Sequence, residues 1–361
     1  MKIGFFSPTI NRVGGGEWVT LNMINALLTR KHDVLVYSAD KIDHTHIKEF
    51  FGYPLNFREV NYRPNIFDPY DLENIYPNCL KSFVFSLKCD LLIDTFSNVL
   101  LPWADAVYFH GWPRTVALSR GLKGCLFLPY KAIVKYSVDH VKPEEKIFMT
   151  CSEWTASNIE RHIGFRPKVL YPPVSNFFKA KEINGETKKN LVTTVVRISR
   201  DKRPETIPQI AKLVSNEISF VIIGNCKTLH ELRTLNVLRE SIKKLRVEKK
   251  IKVLLNLSRE KQREILQSSK SYLHPLLPYE TFGISVVEAM YSGCIPIVPD
   301  IAGLKEIVPK PLRYTSIEEA AQLVEKSIAN WSPNEAWKAV EIADKFNQAR
   351  FYDEFLKIMK L

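Results

Sequence analysis

The 361 residues, 45% hydrophobic and 25% charged, suffice for two domains that each bury a core, and they exclude a disordered, collagen-like or small disulfide-framed chain. The net charge of +12 is shared unevenly: 20 basic against 17 acidic side chains over residues 1–170, and 31 against 22 over 171–361. That balance favours anionic partners, whether nucleotide phosphates, nucleic acid or an acidic membrane surface, without choosing among them.

The opening MKIGFFSP is too short an apolar run for a signal peptide and flows straight into patterned sequence, so it predicts a first strand. No window reaches the roughly eighteen uncharged apolar residues of a membrane span; Ser82 to Trp103 is broken by Lys88, Asp90 and Asp94. The six cysteines form no C-x-x-C pair, and several fall in apolar runs, which predicts reduced, buried thiols in a cytoplasmic protein.

In the first half, short apolar runs at Ile3–Phe6, Val34–Tyr37, Leu91–Ile93, Val107–Phe109 and Ile147–Thr150 predict parallel strands. Between the first two, Trp18, Leu21, Ile24 and Leu27 recur at helical spacing, so a βαβ unit opens a doubly wound sheet. The segment Asn11–Glu17 holds Gly14, Gly15 and Gly16. It predicts a loop whose backbone can approach a ligand and present N–H groups before a helix, or else a flexible turn with no ligand. It is not G-x-G-x-x-G, and no acid clearly ends the second strand in the NAD position, although Asp40 lies close. Phe51–Pro77, rich in Asn, Tyr, Pro and Asp, reads as a variable loop region.

His110 ends a strand and precedes Gly111, which predicts an exposed histidine at the sheet's carboxyl edge; a structural histidine is the alternative. The other seven histidines have no comparable setting, and no His/Cys cluster suggests a metal. Gly121–Val138 mixes Lys123, Lys131 and Lys135 with Leu, Phe, Tyr, Ile and Val. It predicts either a membrane-surface segment or an ordinary helix with its apolar stripe in the core. Ser152 or Glu153 is placed to cap the next helix, and the diproline Pro172–Pro173 sets the domain boundary near Pro172. The expected domains are therefore 1–172, and 173–344.

The second half begins again with a strand, Leu191–Val196, followed by Arg197 and, five residues on, Lys202. Two cations at a strand's carboxyl edge can hold a pyrophosphate; a solvated basic turn is the bland alternative. Phe220–Gly224 and Val253–Leu255 predict further strands. Between them, Leu232, Leu235, Leu238, Ile242 and Leu245 predict a buried stripe, with most of nine basic residues facing outward. Aromatic residues for base stacking are absent there, which argues against a nucleic-acid groove.

The most informative stretch is His274–Pro299, HPLLPYETFGISVVEAMYSGCIPIVP. It predicts a strand ending at His274, a loop, a helix starting near Gly283–Ser285 and ending at Gly293, and a strand from Cys294. Glu280 falls in the loop at the carboxyl edge and Glu288 inside the helix. The N–H groups of Phe282, Gly283 and Ile284 at the helix start suit an anionic or hydroxyl-rich ligand.

The E-x7-E spacing with FGIS between the acids, followed by EAM-x-SG-x-PIV, resembles the donor site of retaining glycosyltransferases of family 4, which have the GT-B fold. The resemblance implies two Rossmann-like α/β domains with parallel sheets facing a central cleft, and a last helix, about 345–361, that returns to the first domain. It implies that Glu280 sits beside the transferred sugar, that Glu288 holds the ribose hydroxyls, and that Phe282, Gly283 and Ile284 line the donor site. Arg197 and Lys202 match that family's R-x4-K motif for the donor phosphates, although Val196 and Arg203 replace its usual flanking glycines. Gly15 and Gly16 are similar to its glycine-rich loop near the donor phosphates and acceptor, and His110 to a histidine close to the sugar. SEWT, YPPV and GLKE at 303–306 also have counterparts.

The implied function is retaining transfer of a hexose from a nucleotide sugar of the GDP-mannose or UDP-glucose type. The implied acceptor is a glycan, lipid-linked and used in N-glycan or cell-surface glycan assembly, with no metal or other cofactor required. Nucleic acid is not an expected partner, and the basic surface leaves room for peripheral contact with an acidic membrane at the cytoplasmic face. The rivals are transfer to a soluble or protein acceptor, and a non-catalytic nucleotide-sugar-binding or nucleic-acid-binding protein of the same fold.

Overall fold

Runs of branched and aromatic residues become short, buried parallel strands because both faces of each sheet are covered. The computed structural model describes residues 1–62, 75–111, 125, 127–142 and 144–361. The chain divides into two units, Met1–Pro173 with Ala349–Leu361, and Val174–Gln348. The architecture is α/β, two Rossmann-like parallel sheets.

Among the described residues, the first unit holds a seven-stranded sheet in the order β3-β2-β1-β4-β5-β6-β7. Its strands are β1 Lys2–Phe6, β2 Asp33–Tyr37, β3 Arg58–Val60, β4 Leu91–Asp94, β5 Ala106–Phe109, β6 Ile147–Thr150 and β7 Lys168–Val169. The order reverses between β1 and β4, so their carboxyl ends open a crevice of the kind that holds ligands in doubly wound sheets. The second unit's sheet runs β10-β9-β8-β11-β12-β13. Its strands are β8 Lys189–Val195, β9 Ser219–Gly224, β10 Ile251–Leu255, β11 Ser269–Leu273, β12 Ile295–Pro299 and β13 Arg313–Tyr314. Here the reversal lies between β8 and β11, the two strands that deliver Lys202 and Glu280.

The helix Gly15–Thr29 buries Trp18, Leu21, Ile24 and Leu27 as the spacing predicts. In the first unit the segment Ala349–Leu361 returns to this helix: the Tyr352 hydroxyl donates to Asn22 Oδ1 (3.0 Å) and accepts from Asn25 Nδ2 (2.9 Å). Ser152 caps the helix Glu153–Ile163, accepting from the Thr155 N–H.

Several local expectations are corrected. Phe51–Pro77 is not wholly irregular, because β3 pairs with β2 and the helix Ile75–Ser86 begins within it. A three-residue strand is too short to show a period in sequence; residues 63–74 lie outside the described part. In the helix Leu229–Lys244, Leu235, Leu238 and Ile242 are buried, but Leu232 is exposed, because the first turn, with Leu229, stands clear of the core. Four cysteines are buried, Cys89 is half-buried and Cys125 exposed, and all six are free.

The Gly121–Val138 segment becomes the helix Leu128–His140, with 121–124 and 126 outside the described residues. Tyr130 and Val134 enter the core while Leu128 and Tyr136 stay exposed. The neighbouring helix Ile75–Ser86 also leaves large apolar side chains in solvent: Leu80 and Phe83, then Leu87 just beyond its end. Tyr76 joins the two helices through ring contacts with Phe127 and Tyr130. Among the described residues, no helix is long and apolar enough to cross a membrane.

Candidate active site

Lys202 and Glu280, 78 positions apart, meet at the switch point of the second sheet with Lys202 Nζ 2.5 Å from Glu280 Oε2. Lys202 is carried there by a 3-10 turn, Arg200–Lys202, after β8. The turn closes on Arg203 at φ 45°, a left-handed conformation that accounts for the glycine usual at this position in the family it resembles. Glu280 follows β11. Its loop is held by the Gly303 N–H, which donates to the Glu280 carbonyl at 3.0 Å. A Cβ on Gly303 would lie 2.0 Å from the Thr281 carbonyl oxygen. Gly303→Ala is therefore expected to push the loop away and cost about 1–3 kcal/mol, seen as a lower denaturant midpoint together with weakened donor binding.

The loop ends at Gly283, whose φ of 98° only glycine adopts readily, and the helix Ile284–Tyr291 begins there. Glu288 is the fifth residue of that helix and is buried, where Arg259 Nη2 donates to its Oε1 at 3.1 Å. Gln262 Nε2 lies 3.5 Å from its other oxygen. Arg259 rests on the Phe178 ring, 4.8 Å from its centroid, which fixes the guanidinium plane. At the helix's far end Lys188, buried, donates from Nζ to the Ser269 and Ser292 carbonyls at 2.7 and 2.8 Å.

The two acids are driven apart. Burial pushes the Glu280 carboxyl up, but the neighbouring His274 and the Lys202 charge outweigh it and hold the group down to about 2. Glu288 is raised, because burial outweighs the charge and hydrogen bond of Arg259. Glu280 is thus the fixed anion, and Glu288 takes up a proton more readily in mild acid.

Of the expected donor-site residues, the structure brings Lys202 and Glu280 together and places Phe282, Gly283, Ile284 and Glu288 along the next loop and helix. It does not bring Arg197 to Lys202's partner. Arg197 is 60% exposed, with Nη2 3.4 Å from Asp201, because it leaves the strand before the turn that carries Lys202 inward.

In the first unit, Gly15 and Gly16 are the first residues of a helix and not part of a loop. The Glu17 carboxylate takes the Gly14 N–H (3.0 Å) and the Thr9 hydroxyl (2.8 Å), capping the helix from inside its first turn. His110 is half-buried instead of exposed, because its ring is tethered: Nε2 lies 3.0 Å from the Thr95 carbonyl. A Cβ on Gly16 would sit 3.5 to 3.7 Å from that ring. Burial lowers the His110 imidazole, against the Glu17 charge and the Thr95 carbonyl. A neutral ring that donates from Nε2 leaves Nδ1 as an acceptor. Trp112 and Pro113, next to it, lie outside the described residues.

Sequence reasoning passed over His274, Arg259, Gln262 and Lys188. His274 stands at the head of the diagnostic stretch, at a strand end just as His110 does, and that parallel was its one available signal. Arg259 lies 29 positions before Glu288, and no local pattern joins them.

Two doubly wound, Rossmann-like parallel sheets are the architecture of the GT-B fold, and the second carries a lysine–glutamate pair at its switch point. Residues 176–343 match the family model described as "Glycosyl transferases group 1", so the chain carries a group 1 glycosyltransferase domain. Over 239 residues it is 24% identical to a GDP-Man:Man(3)GlcNAc(2)-PP-Dol alpha-1,2-mannosyltransferase of Dictyostelium discoideum, covering 60% of this chain and 47% of that protein. It is 23% identical over 353 residues to the phosphatidylinositol N-acetylglucosaminyltransferase GPI3 subunit of Saccharomyces cerevisiae, covering 91% and 74%. The chain spans half or less of the length of the mannosyltransferases it matches. In structure it is similar to HepE of Anabaena, solved in complex with UDP and glucose, with a TM-score of 0.76 at 14% identity and coverage of 100% and 99%. That likeness concerns the fold.

Proposed function

We propose that the protein is a retaining, metal-independent glycosyltransferase that moves a hexose from a nucleotide sugar to a glycan acceptor of the lipid-linked kind that the mannosyltransferase relatives' names describe. The observation that carries this reading is the meeting of Lys202 with Glu280 at the switch point of the second sheet. In this reading Lys202 and Arg197 stabilise charge on the leaving diphosphate, Glu288 holds the ribose, and Glu280 and the amides around Gly283 orient the sugar. His110 contacts sugar hydroxyls, and Gly15 and Gly16 serve the phosphates and the acceptor. The acceptor oxygen bonds to the anomeric carbon from the leaving-group face as the bond to the diphosphate breaks. The diphosphate takes the acceptor's proton, so configuration is retained and no separate base is needed.

The test is binding and slow hydrolysis of a panel of UDP-, GDP- and ADP-sugars by the wild type, Glu288→Ala and Lys202→Ala. One donor turned over by the wild type, with loss in both variants, supports the reading. Salt-dependent nucleic-acid binding without any sugar-nucleotide binding would overturn it.

We also propose that it works at the cytoplasmic membrane face, with the exposed stripe of the helix Ile75–Ser86 against anionic lipid. Leu80, Phe83 and Leu87 share one face, no acid occurs from Ile75 to Cys89, and Lys131 and Lys135 flank Leu128 and Tyr136 on the adjacent helix. Apolar side chains beside cations suit an acidic bilayer surface, with Lys135 paired to Asp139 at 2.7 Å on the same helix. Vesicles containing phosphatidylglycerol should pellet the protein where pure phosphatidylcholine does not. The double variant Leu80→Ser, Leu87→Ser should lose on the order of tenfold in partition; equal pelleting in all cases would sink the idea.

A further inference from the structure

His274 is a buried titratable group to which the reading above gives no part. It follows β11, and its side chain is 3% exposed. Its Nε2 is buried without a hydrogen-bond partner and faces Glu280 Oε2 at 3.5 Å. On the other side Nδ1 lies 3.3 Å from the Tyr272 hydroxyl, which is 3.1 Å from the Val195 carbonyl and 2.9 Å from the Ser285 hydroxyl. The backbone is pinned too: the His274 N–H donates to the Ile297 carbonyl, and the Tyr314 hydroxyl donates to the His274 carbonyl. The titratable groups that face it are therefore Glu280, Lys202, Tyr272 and Tyr314. The ring joins the ends of β8 and β11, the start of the donor-side helix and Glu280.

Tyr272 has one proton, and the Val195 carbonyl can only accept it. With that proton spent, the Tyr272 oxygen is an acceptor for Nδ1–H. A neutral ring then turns the Nε2 lone pair toward a carboxylate, two acceptors face to face. A doubly protonated ring satisfies every partner. In the free protein Lys202 already neutralises Glu280 at the same oxygen, Oε2. If Lys202 serves the donor diphosphate, as the functional reading on which this inference rests requires, it has to leave a carboxylate that is 13% exposed. A buried anion without its cation is strongly disfavoured.

We propose that His274 is the positioning residue that holds Glu280 in place when Lys202 turns to the donor diphosphate, and that it binds one proton from solvent as it does so. The imidazolium then donates from Nε2 to Glu280 and from Nδ1 to Tyr272, while Tyr272 donates to Val195. The sign agrees with the electrostatics of the free protein. Burial depresses the His274 imidazole, Glu280 opposes this, and Lys202 adds to the depression. Withdrawing Lys202 removes a depressing influence, so donor binding draws a proton in.

The experiment is calorimetry of GDP-mannose, UDP-glucose or whichever other sugar nucleotide of the panel binds, at pH 7.5 in Tris and in HEPES, whose ionisation heats differ. A nucleotide sugar has no secondary phosphate ionisation near neutrality, so the difference reports protons taken up by the protein. The wild type should take up a proton on binding. His274→Gln should bind roughly 10- to 100-fold more weakly, with the uptake lost, since a charge-assisted hydrogen bond is removed. Should that variant not fold, Tyr272→Phe, which removes the Nδ1 acceptor, should reduce the uptake. Binding by the wild type without proton uptake, or unchanged uptake in His274→Gln, overturns this role alone. Absence of binding by every UDP-, GDP- and ADP-sugar of the panel overturns the functional reading and this role with it.

Discussion

Lys202→Ala should lower turnover of the bound donor by on the order of 100- to 1,000-fold, the loss typical of removing one preorganised charge from a developing anion. The arrangement makes the effect larger than for any other basic residue of the turn. Lys202 is the one that the 3-10 turn carries to the switch point, whereas Arg197 remains on the exposed side with Asp201. An exposed ion pair contributes little, so Arg197→Ala should leave the unliganded fold untouched and act only once the donor is bound. Lys202→Ala should also remove a partner of Glu280. That carboxyl contributes stability fully above its ordinary value of 4.5, and the contribution is lost as pH falls toward about 2. Without Lys202 the native carboxyl titrates closer to its ordinary value, so the contribution is smaller and is lost over a narrower window below 4.5. Single-turnover rates at saturating donor, with acid unfolding followed by circular dichroism, test both effects. A rate within threefold of the wild type would remove Lys202 from the chemistry.

Legibility from sequence follows the range of the interactions concerned. Strand positions such as Ile3–Phe6 and Ile147–Thr150 were readable because a buried parallel strand is written in consecutive residues. The donor-side stretch was readable for the same reason: Glu280, Gly283 and Glu288 lie in one strand-loop-helix unit. Its glycines carry specific backbone demands, the positive φ of Gly283 and the close approach at Gly303. What the sequence could not show is pairing across the sheet. Lys202 reaches Glu280, Arg259 reaches Glu288 and Lys188 reaches Ser292 only because β8, β11 and the following helix are brought side by side. The glycine cluster misled for a local reason. Glu17, three residues beyond Gly14, caps the helix so early that Gly15 and Gly16 become its first turn.

Glu288 offers the sharpest separation of binding from stability. Its carboxylate is 8% exposed and paired with Arg259. Glu288→Ala leaves that guanidinium beside a cavity and should destabilise the fold by about 3 kcal/mol, the usual result of removing one member of a buried pair. Glu288→Gln keeps the shape and can still accept from Arg259, so it should retain most of that stability. Both should weaken the nucleotide sugar, roughly 10- to 100-fold for Gln, because a charged acceptor to the ribose hydroxyls becomes a neutral one. The pH dependence carries a second signature. Burial raises the Glu288 carboxyl while Glu280 is held down to about 2, so mild acid protonates Glu288 first. Protonation of Glu288 should therefore weaken the donor in mild acid while Glu280 is still ionised, opposing the gain in affinity that proton uptake at His274 brings, and Glu288→Gln should remove that acid weakening and leave the His274 contribution. Titrations with the donor from neutral into mildly acid solution measure both quantities. Acid weakening that persists unchanged in Glu288→Gln would mean that another group governs donor binding.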